Sequence, residues 1–439
     1  MILIKKLMFV IGTRPEIIKM APLIREGLTR YSQIYLVHTG QHYDHNMSQT
    51  FFKSLNLPPP TYNLEVGSGS HAYQLSEIII KLEKLIFKIQ PDIVFAQGDT
   101  NSVAATALVC GKINVPFAHV EAGIRSFDMT MPEEINRKIA AVTANYHFAP
   151  TKQAVINLLT EGVNHNRIFL TGNTIVDATL QHIEIAEKIK NKDIEDIFNF
   201  LDGSDFILCT LHRQSNVNNK ESLKEILRAF QILQKRGIKI IFPCHPRTIK
   251  QIKKLNLDKE FKKLTNLYLC DPLDYLSFIK LIKECSLILT DSGGIQEEAA
   301  TLKKKCVTLR TNTERPETIE IGLNVLSKTI AEDIIANIDL QLSKDISKIK
   351  NYKNPYGDGT ASKKILDIIE ERRDLSKYYP PNLEEVGSYK VRLHTVTKSM
   401  SNEDFEKNYG QILMIFNKEG DAILLPEVVK EGYSIIYLA

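Results

Sequence analysis

The sequence predicts an α/β fold of two doubly wound, Rossmann-like lobes facing each other across a cleft, with a small β-rich C-terminal appendage. Three observations lead there. Short apolar, β-branched runs ending in glycine or a polar residue alternate with longer stretches whose apolar residues recur at three- and four-residue spacing, the signature of parallel strands joined by helices. The alternation occurs as two successive series. Past Arg373 helical spacing gives way to single alternation around turn residues.

In the first series, LMFVIG, QIYLVHTG, DIVFAQGD, PFAHVEAG, YHFAPT and RIFLTGN read as strands, and SEIIIKLEKLIFKI is typical of the helices between them. The second series is DFILCTLHR, KIIFPCHP, LYLCDP, SLILTDSGG and CVTLR. A chain of 439 residues exceeds one ordinary core. Residues 1–173 are therefore expected to form the first lobe and 174–357 the second. The charged stretch EIAEKIKNKDIEDIFNFL reads as helix at the start of the second lobe. NPYGDGTASKKILDIIEE provides a turn and a last helix, near 360–372. Residues 374–439 form the appendage, with helix expected only around SNEDFEKN; Ile412, Met414 and Phe416, then Ile423, Leu425 and Pro426 beyond the EGD turn, are its alternating positions.

Composition excludes several classes. The 56 basic and 52 acidic side chains are spread along the chain, and the net charge of +4 does not suggest a nucleic-acid partner. No run approaches the roughly 18 apolar residues of a membrane span, and the short apolar start of MILIKKLMFVIGTRPE leads into a turn rather than a cleavage site. The six cysteines (Cys110, Cys209, Cys244, Cys270, Cys285 and Cys306) include no C-x-x-C pair and mostly sit in apolar runs, as buried free thiols of a cytoplasmic protein do. No metal is expected, because clustered Cys/His or H-x-x-x-H spacing is absent. No nicotinamide cofactor is expected either: GSGSH is not G-x-G-x-x-G and follows no strand.

Ligands of open parallel sheets bind beyond the carboxyl ends of the strands, so the polar strand ends are the candidates. In IGTRPEIIKMAPLI a strand ends at Gly12 and a helix opens near Pro15. Helix N–H groups with Arg14 and Lys19 would bind an anion there; an ordinary βα turn carrying solvated basic groups is the alternative. TDSGGIQEEA repeats that logic, with Ser292, Gly293 and Gly294 letting a ligand approach the backbone. Glu297 and Glu298 read as first-turn residues that complement the helix dipole; a carboxylate there suits sugar hydroxyls such as a ribose's better than a pyrophosphate. Asp99 in QGDT, Glu121 in HVEAG and Glu133 in MPEEINR fall at or just past strand ends. Each alone is as readily structural as functional. Three on one cleft suit acid–base work, with Arg125 and Arg137 placed to hold their pKa values apart. His212 in TLHRQSN and His245 in PCHPR end successive strands, each near an arginine, and suggest phosphate or leaving-group contacts.

Taken in order, GTRPEIIKMAPL, TGQHYD, QGDTNS, HVEAGIRSFD, MPEEINR, GNTIVDA, LHRQSN, DSGGIQEEA, RTNTERPE and NPYGDG closely resemble the non-hydrolysing UDP-N-acetylglucosamine 2-epimerases, over residues 7 to about 372. The resemblance implies a glycosyltransferase-B-type pair of lobes whose last helix returns to the first lobe. It implies interconversion of UDP-N-acetylglucosamine and UDP-N-acetylmannosamine without a cofactor, with a UDP-sugar as ligand and a homodimer as the assembly. Carried over by position, Asp99, Glu121 and Glu133 are the acid–base residues and His212 attends the leaving phosphate. Arg14, Lys19, Arg137, His245, Ser292, Gly293, Gly294 and Glu298 hold UDP and sugar, with Arg315 in ERPE as a further phosphate ligand. Gln41 and His42 mark a regulatory site, but Tyr43 replaces the arginine many bacterial members carry after them, which puts activation by substrate in doubt. The tail has no counterpart in the family. The rival readings are an epimerase of a modified sugar such as a UDP-diacetamido-uronic acid, a hydrolysing relative, a non-catalytic UDP-sugar sensor and a glycosyltransferase.

Overall fold

The computed structural model describes residues 4–40, 52–345 except residue 54, and 353–371, plus strand segments and a few neighbouring residues between 391 and 438. The first sheet has seven parallel strands: β1 (Lys6–Ile11), β2 (Gln33–His38), β3 (Tyr62–Asn63), β4 (Ile93–Gln97), β5 (Phe117–Val120), β6 (Tyr146–Ala149) and β7 (Ile168–Leu170), in the order β3-β2-β1-β4-β5-β6-β7. The second comprises β8 (Phe206–Thr210), β9 (Lys239–Pro243), β10 (Leu267–Cys270), β11 (Leu287–Thr290), β12 (Cys306–Thr308) and β13 (Asn324–Leu326), in the order β10-β9-β8-β11-β12-β13. Leu7 to Ile11 are fully buried, as befits a parallel strand covered on both faces. Each order reverses once, between β1 and β4 and between β8 and β11, and such switch points open the crevices in which ligands of these sheets bind.

The helices around the first sheet are α1 (Arg14–Arg30), α2 (His71–Ile89), α3 (Asn101–Ile113), α4 (Pro132–Thr143) and α5 (Lys152–Thr160). Between the sheets run α6 (Thr174–Glu187) and α7 (Lys192–Leu201). Around the second are α8 (Gln214–Val217), α9 (Lys220–Lys235), α10 (Pro246–Lys254), α11 (Asp258–Lys262), α12 (Tyr275–Glu284), α13 (Gly293–Thr301), α14 (Pro316–Glu320) and α15 (Ala331–Ser343), and the chain then enters α16 (Ala361–Glu371). The helical stretch expected across 184–201 is broken in two. Asn191 accepts a hydrogen bond from the Ile194 N–H at 2.9 Å and so caps α7; an Asn satisfies a helix start far better than a helix interior.

The lobes share one buried cluster. Ile17, Met20 and Leu23 of α1, Ile279 and Ile282 of α12, and Ile365, Leu366 and Ile369 of α16 all belong to it. Helix α6 packs on α1 and also on α12 and α13. Asp177 of α6 accepts from the N–H groups of Ala361 (3.2 Å) and Ser362 (2.8 Å), pinning the start of α16, and Arg30 meets Asp367 at 2.6 Å. The last helix is thereby held against the first lobe. Beyond it, β14 (Val391–Thr395), β16 (Gln411–Phe416), β17 (Ala422–Ile423) and β19 (Ser434–Leu438) make an antiparallel sheet in the order β14-β19-β16-β17, and β15 (Met400–Ser401) pairs with β18 (Val428–Val429).

Candidate active site

The turn after β1 is fixed from within. A side chain on Gly12 would collide with Ser102 Oγ, so only glycine fits. Glu16, buried in the first turn of α1, accepts from the N–H groups of Gly12 (2.9 Å) and Thr13 (2.6 Å) and from Thr100 Oγ1 (2.7 Å). It ties the ends of β1 and β4 together, and burial lifts its carboxyl to about 6 despite those bonds. Arg14, the first residue of α1, is exposed.

Glu121 follows β5 with φ at +64°, a left-handed backbone that costs a non-glycine residue about 1–2 kcal/mol. That conformation accompanies a carboxylate buried among charges from both lobes. Lys19 Nζ lies 2.6 Å from its Oε2, Gln97 Nε2 donates to the same oxygen, and Arg315 Nη2 donates to Oε1 at 2.9 Å. Arg315 Nε also donates to Glu297 Oε1 at 2.6 Å, where Asn173 Nδ2 donates at 2.9 Å, and Lys19 stands 3.7 Å from Glu297 Oε2. The result is a closed ring of two cations and two carboxylates, Lys19–Glu121–Arg315–Glu297, with no side chain more than 11% exposed. Burial alone would raise the Glu121 pKa, but Lys19 and Arg315 hold it below the ordinary value. In Glu297 burial prevails and the pKa is raised.

Asp99 follows β4 and pairs with Arg137 of α4, whose Nε donates at 2.9 Å; the other side of that guanidinium meets Glu134 at 2.7 Å. The structure separates Glu133 from Glu134. Glu133 is exposed in the first turn of α4, whereas Glu134 is fully buried against Arg137 and Ser126. Arg125 was expected to tune the acidic trio, but it lies against Glu161, which it engages at 2.8 and 2.6 Å. Of the two arginines, Arg137 bears directly on the trio through Asp99.

In the second lobe, buried Asp291 at the end of β11 accepts from the backbone N–H of His212 (3.1 Å) and of Arg213 (3.0 Å) and from Asn216 (3.1 Å), and lies 3.1 Å from His212 Nδ1. Burial opposes its charge, yet these donors hold its pKa below the ordinary value. The His212 ring stays half-exposed. Helix α13 opens at Gly293, so Glu297 and Glu298 lie in its second turn and are buried, a correction to the first-turn placement. Ser292 is the N-cap. A Cβ at Gly294 would meet nothing within 4 Å, and one at Gly293 would meet Arg315 Cζ and Glu314 Oε2, each at 3.8 Å. Neither glycine has a positive φ, so what they leave is an approach to the helix N-terminus bordered by Arg315. Burial drives the Glu298 carboxyl up to about 8, so it is largely protonated at neutral pH. His245 caps α10 by accepting from the Arg247 N–H (3.2 Å), and Thr248 on that helix bonds the Leu211 carbonyl beside His212 at 2.7 Å.

One contiguous group thus contains Lys19, Asp99, Glu121, Arg137, His212, Ser292, Gly293, Gly294, Glu298 and Arg315; Arg14 and Glu133 are exposed in the first turns of α1 and α4, and His245 is exposed at the start of α10. Gln41 and His42 lie outside the described residues. Sequence reasoning missed Gln97, Asn173, Asp291 and Glu314 and gave Glu297 only a dipole role. Each is next to or within a quoted motif, which was the only signal. Glu314 pairs with Arg310 (2.7 Å) and Arg213 (3.4 Å), linking the His212 loop to Arg315. Among the described residues no His, Cys, Asp and Glu cluster could hold a metal, and the six cysteines are free thiols.

Comparison with known proteins bears on the same region. The family profile described as UDP-N-acetylglucosamine 2-epimerase matches residues 28–370. A protein of Methanocaldococcus jannaschii named UDP-N-acetylglucosamine 2-epimerase is 48% identical over 366 residues, 83% of this chain and 98% of that protein. A Pseudomonas aeruginosa protein named UDP-2,3-diacetamido-2,3-dideoxy-D-glucuronate 2-epimerase is 36% identical, over 83% of this chain and 99% of its own. The crystal structure of the M. jannaschii UDP-GlcNAc 2-epimerase in complex with UDP-GlcNAc and UDP superposes with a TM-score of 0.77, covering 83% of this chain and 99% of that one.

Proposed function

The chain belongs to the UDP-N-acetylglucosamine 2-epimerase family, and from that premise we propose that it interconverts UDP-N-acetylglucosamine and UDP-N-acetylmannosamine by eliminating and re-adding UDP. One observation carries this reading. The Arg315 guanidinium borders the open N-terminus of α13 and donates to Glu121, so a seat for diphosphate and a carboxylate base share one wall. In this assignment UDP lies with its diphosphate on Ser292, Gly293, Gly294 and Arg315, within reach of Arg14, Lys19 and His245, and its ribose on Glu298. Arg137 orients Asp99 toward the sugar.

The C2 proton of the sugar is not beside a carbonyl, so direct removal meets a high barrier. Breaking the C1–O bond builds positive character at C1 and acidifies C2; a carboxylate takes the proton while the electron pair of the C1–O bond leaves with UDP. An enclosed 2-acetamidoglucal remains. UDP oxygen then re-adds to C1 as a proton reaches C2 from the other face. Asp99, Glu121 and Glu133 supply the acid–base groups for the two faces, and His212, oriented by Asp291, attends the departing phosphate. Nothing in this sequence of steps transfers a hydride.

A diacetamido-uronic acid is the second candidate sugar, because one relative carries that name, though at 36% identity against 48%. A cytoplasmic setting and a homodimer complete the proposal. Its free, mostly buried cysteines support the first, and among the described residues no helix is long and apolar enough to cross a membrane. Incubating the purified protein with each UDP-sugar and following products by NMR tests the function. UDP-N-acetylmannosamine from UDP-N-acetylglucosamine supports it, whereas free N-acetylmannosamine as the main product would identify a hydrolysing enzyme.

A further inference from the structure

We propose that the Lys19–Glu121–Arg315–Glu297 ring is a substrate-released clamp: without ligand it occupies Glu121, and an arriving diphosphate draws Lys19 and Arg315 away and frees Glu121 as a base. This rests on the epimerase reading and adds a trigger to it. Both Glu121 oxygens accept hydrogen bonds, Oε1 from Arg315 and Oε2 from Lys19 and Gln97. Donors on both oxygens and two adjacent cations stabilise the anion and so make Glu121 a weak base for a proton on carbon. The same Arg315 lies beside Gly293, within reach of a phosphate at the α13 N-terminus; Glu314, equally near, is already paired with Arg310. Guanidinium groups bind phosphate oxygens with strong, often bidentate hydrogen bonds, so two negative charges at that turn compete directly with Glu121. Glu297 stays behind as the anchor of Arg315. It is fully buried and is bonded to Asn173 as well, and its Oε2 has no hydrogen-bond donor. The clamp confines the reactive base to complexes in which UDP is already seated.

The sign of the pH effect follows from the groups around Glu121: Lys19 on α1, Arg137 on α4 with Asp99 behind it, Arg315 ahead of α14, Glu297 on α13, and His119 in β5, which burial keeps neutral down to about 4. In the free protein the two nearest cations favour the ionised carboxylate. Once a diphosphate neutralises them, Glu121 stays buried with less compensation, so its pKa rises: it becomes the stronger base where it remains ionised, and at acid pH it takes up a proton. The acid limb of kcat, which reports the substrate complex, should therefore lie about one pH unit or more above that of kcat/KM, which reports the free enzyme. Coincident limbs overturn the clamp.

A second measurement does not depend on turnover. UDP binding is titrated calorimetrically near pH 6 in buffers of different ionisation enthalpy, with wild type, Glu121→Gln and Glu297→Gln. Wild type should take up more protons than Glu121→Gln, and Glu297→Gln, which keeps Glu121, should exceed Glu121→Gln as well. Equal uptake in wild type and Glu121→Gln overturns the proposal, as does an uptake lost only in Glu297→Gln. Excess uptake in a protein that epimerises neither sugar would leave the clamp standing and refute the function.

Discussion

Replacing Glu121 with Gln removes one negative charge from the inter-lobe ring and almost no volume. The ring is neutral as it stands, two cations against two carboxylates, and the change leaves it at +1 in a site where no side chain is more than 11% exposed. Deleting one partner of a buried pair typically costs about 3–5 kcal/mol. Here the amide oxygen still accepts from one cation and Glu297 still faces both, so about 2 kcal/mol is expected, near the worth of one hydrogen bond to a charged group. The loss falls on the contact between the lobes. UDP should restore most of it, because its diphosphate supplies the missing charge. With its competitor gone, UDP should also bind up to ~10-fold tighter, or about 1.4 kcal/mol. Turnover should nevertheless fall by at least about 100-fold, the usual scale for losing acid–base help. Thermal melts with and without UDP, UDP calorimetry and NMR of the products provide the three readouts. Turnover within a few-fold of wild type would exclude Glu121 as the base, and UDP binding weakened tenfold or more would exclude competition between Glu121 and the diphosphate.

Asp99→Asn should lower turnover about 100-fold while UDP affinity changes little, since Arg137 keeps Glu134 as a partner; exposed Glu133→Gln should do the same with no change in melting temperature, and near-normal turnover in either removes that residue from the acid–base set. Asp177→Ala deletes two bonds to the first N–H groups of α16 and should cost about 1–2 kcal/mol, seen as faster amide exchange confined to 361–371; unchanged exchange there would contradict the pinning. Because the Glu298 carboxyl is raised to about 8, the folded protein holds a proton that the unfolded chain releases near 4.5. Between those values stability should fall by about 1.4 kcal/mol per pH unit from this group. Glu298→Gln should therefore gain melting temperature over wild type as pH rises from 5 to 8, and a constant difference would refute the shift. A chain ending at Arg373 keeps every site residue and should retain turnover within a few-fold. If it binds UDP but does not epimerise, the tail completes the site.

Strands long enough to show a run of apolar residues closed by a polar one were legible in the sequence. β3, two residues, and β13, Asn-Val-Leu, were not: the first is too short for periodicity, the second opens on a polar residue, and each is defined by the neighbour it pairs with. The break before α7 was hidden for a different reason: Asn191 is tolerable inside a helix pattern but decisive as a cap. Most site residues were readable because polar strand ends converge in doubly wound sheets. What a sequence does not resolve is which of two adjacent acids faces inward. Successive helix residues diverge by about 100°, and packing gives the buried position to Glu134 rather than Glu133. The ring itself was illegible. Arg315 and Glu121 are 194 residues apart, and only the docking of one lobe on the other makes them partners.

In the proposed reaction C2 loses its proton and regains one while UDP is detached, with no hydride carrier. Incubation with UDP-N-acetylglucosamine in deuterium oxide, without added nicotinamide, tests it most directly. UDP-N-acetylmannosamine should form with deuterium at C2. Epimerised product that keeps protium at C2 would contradict elimination and re-addition with solvent-exchanged protons.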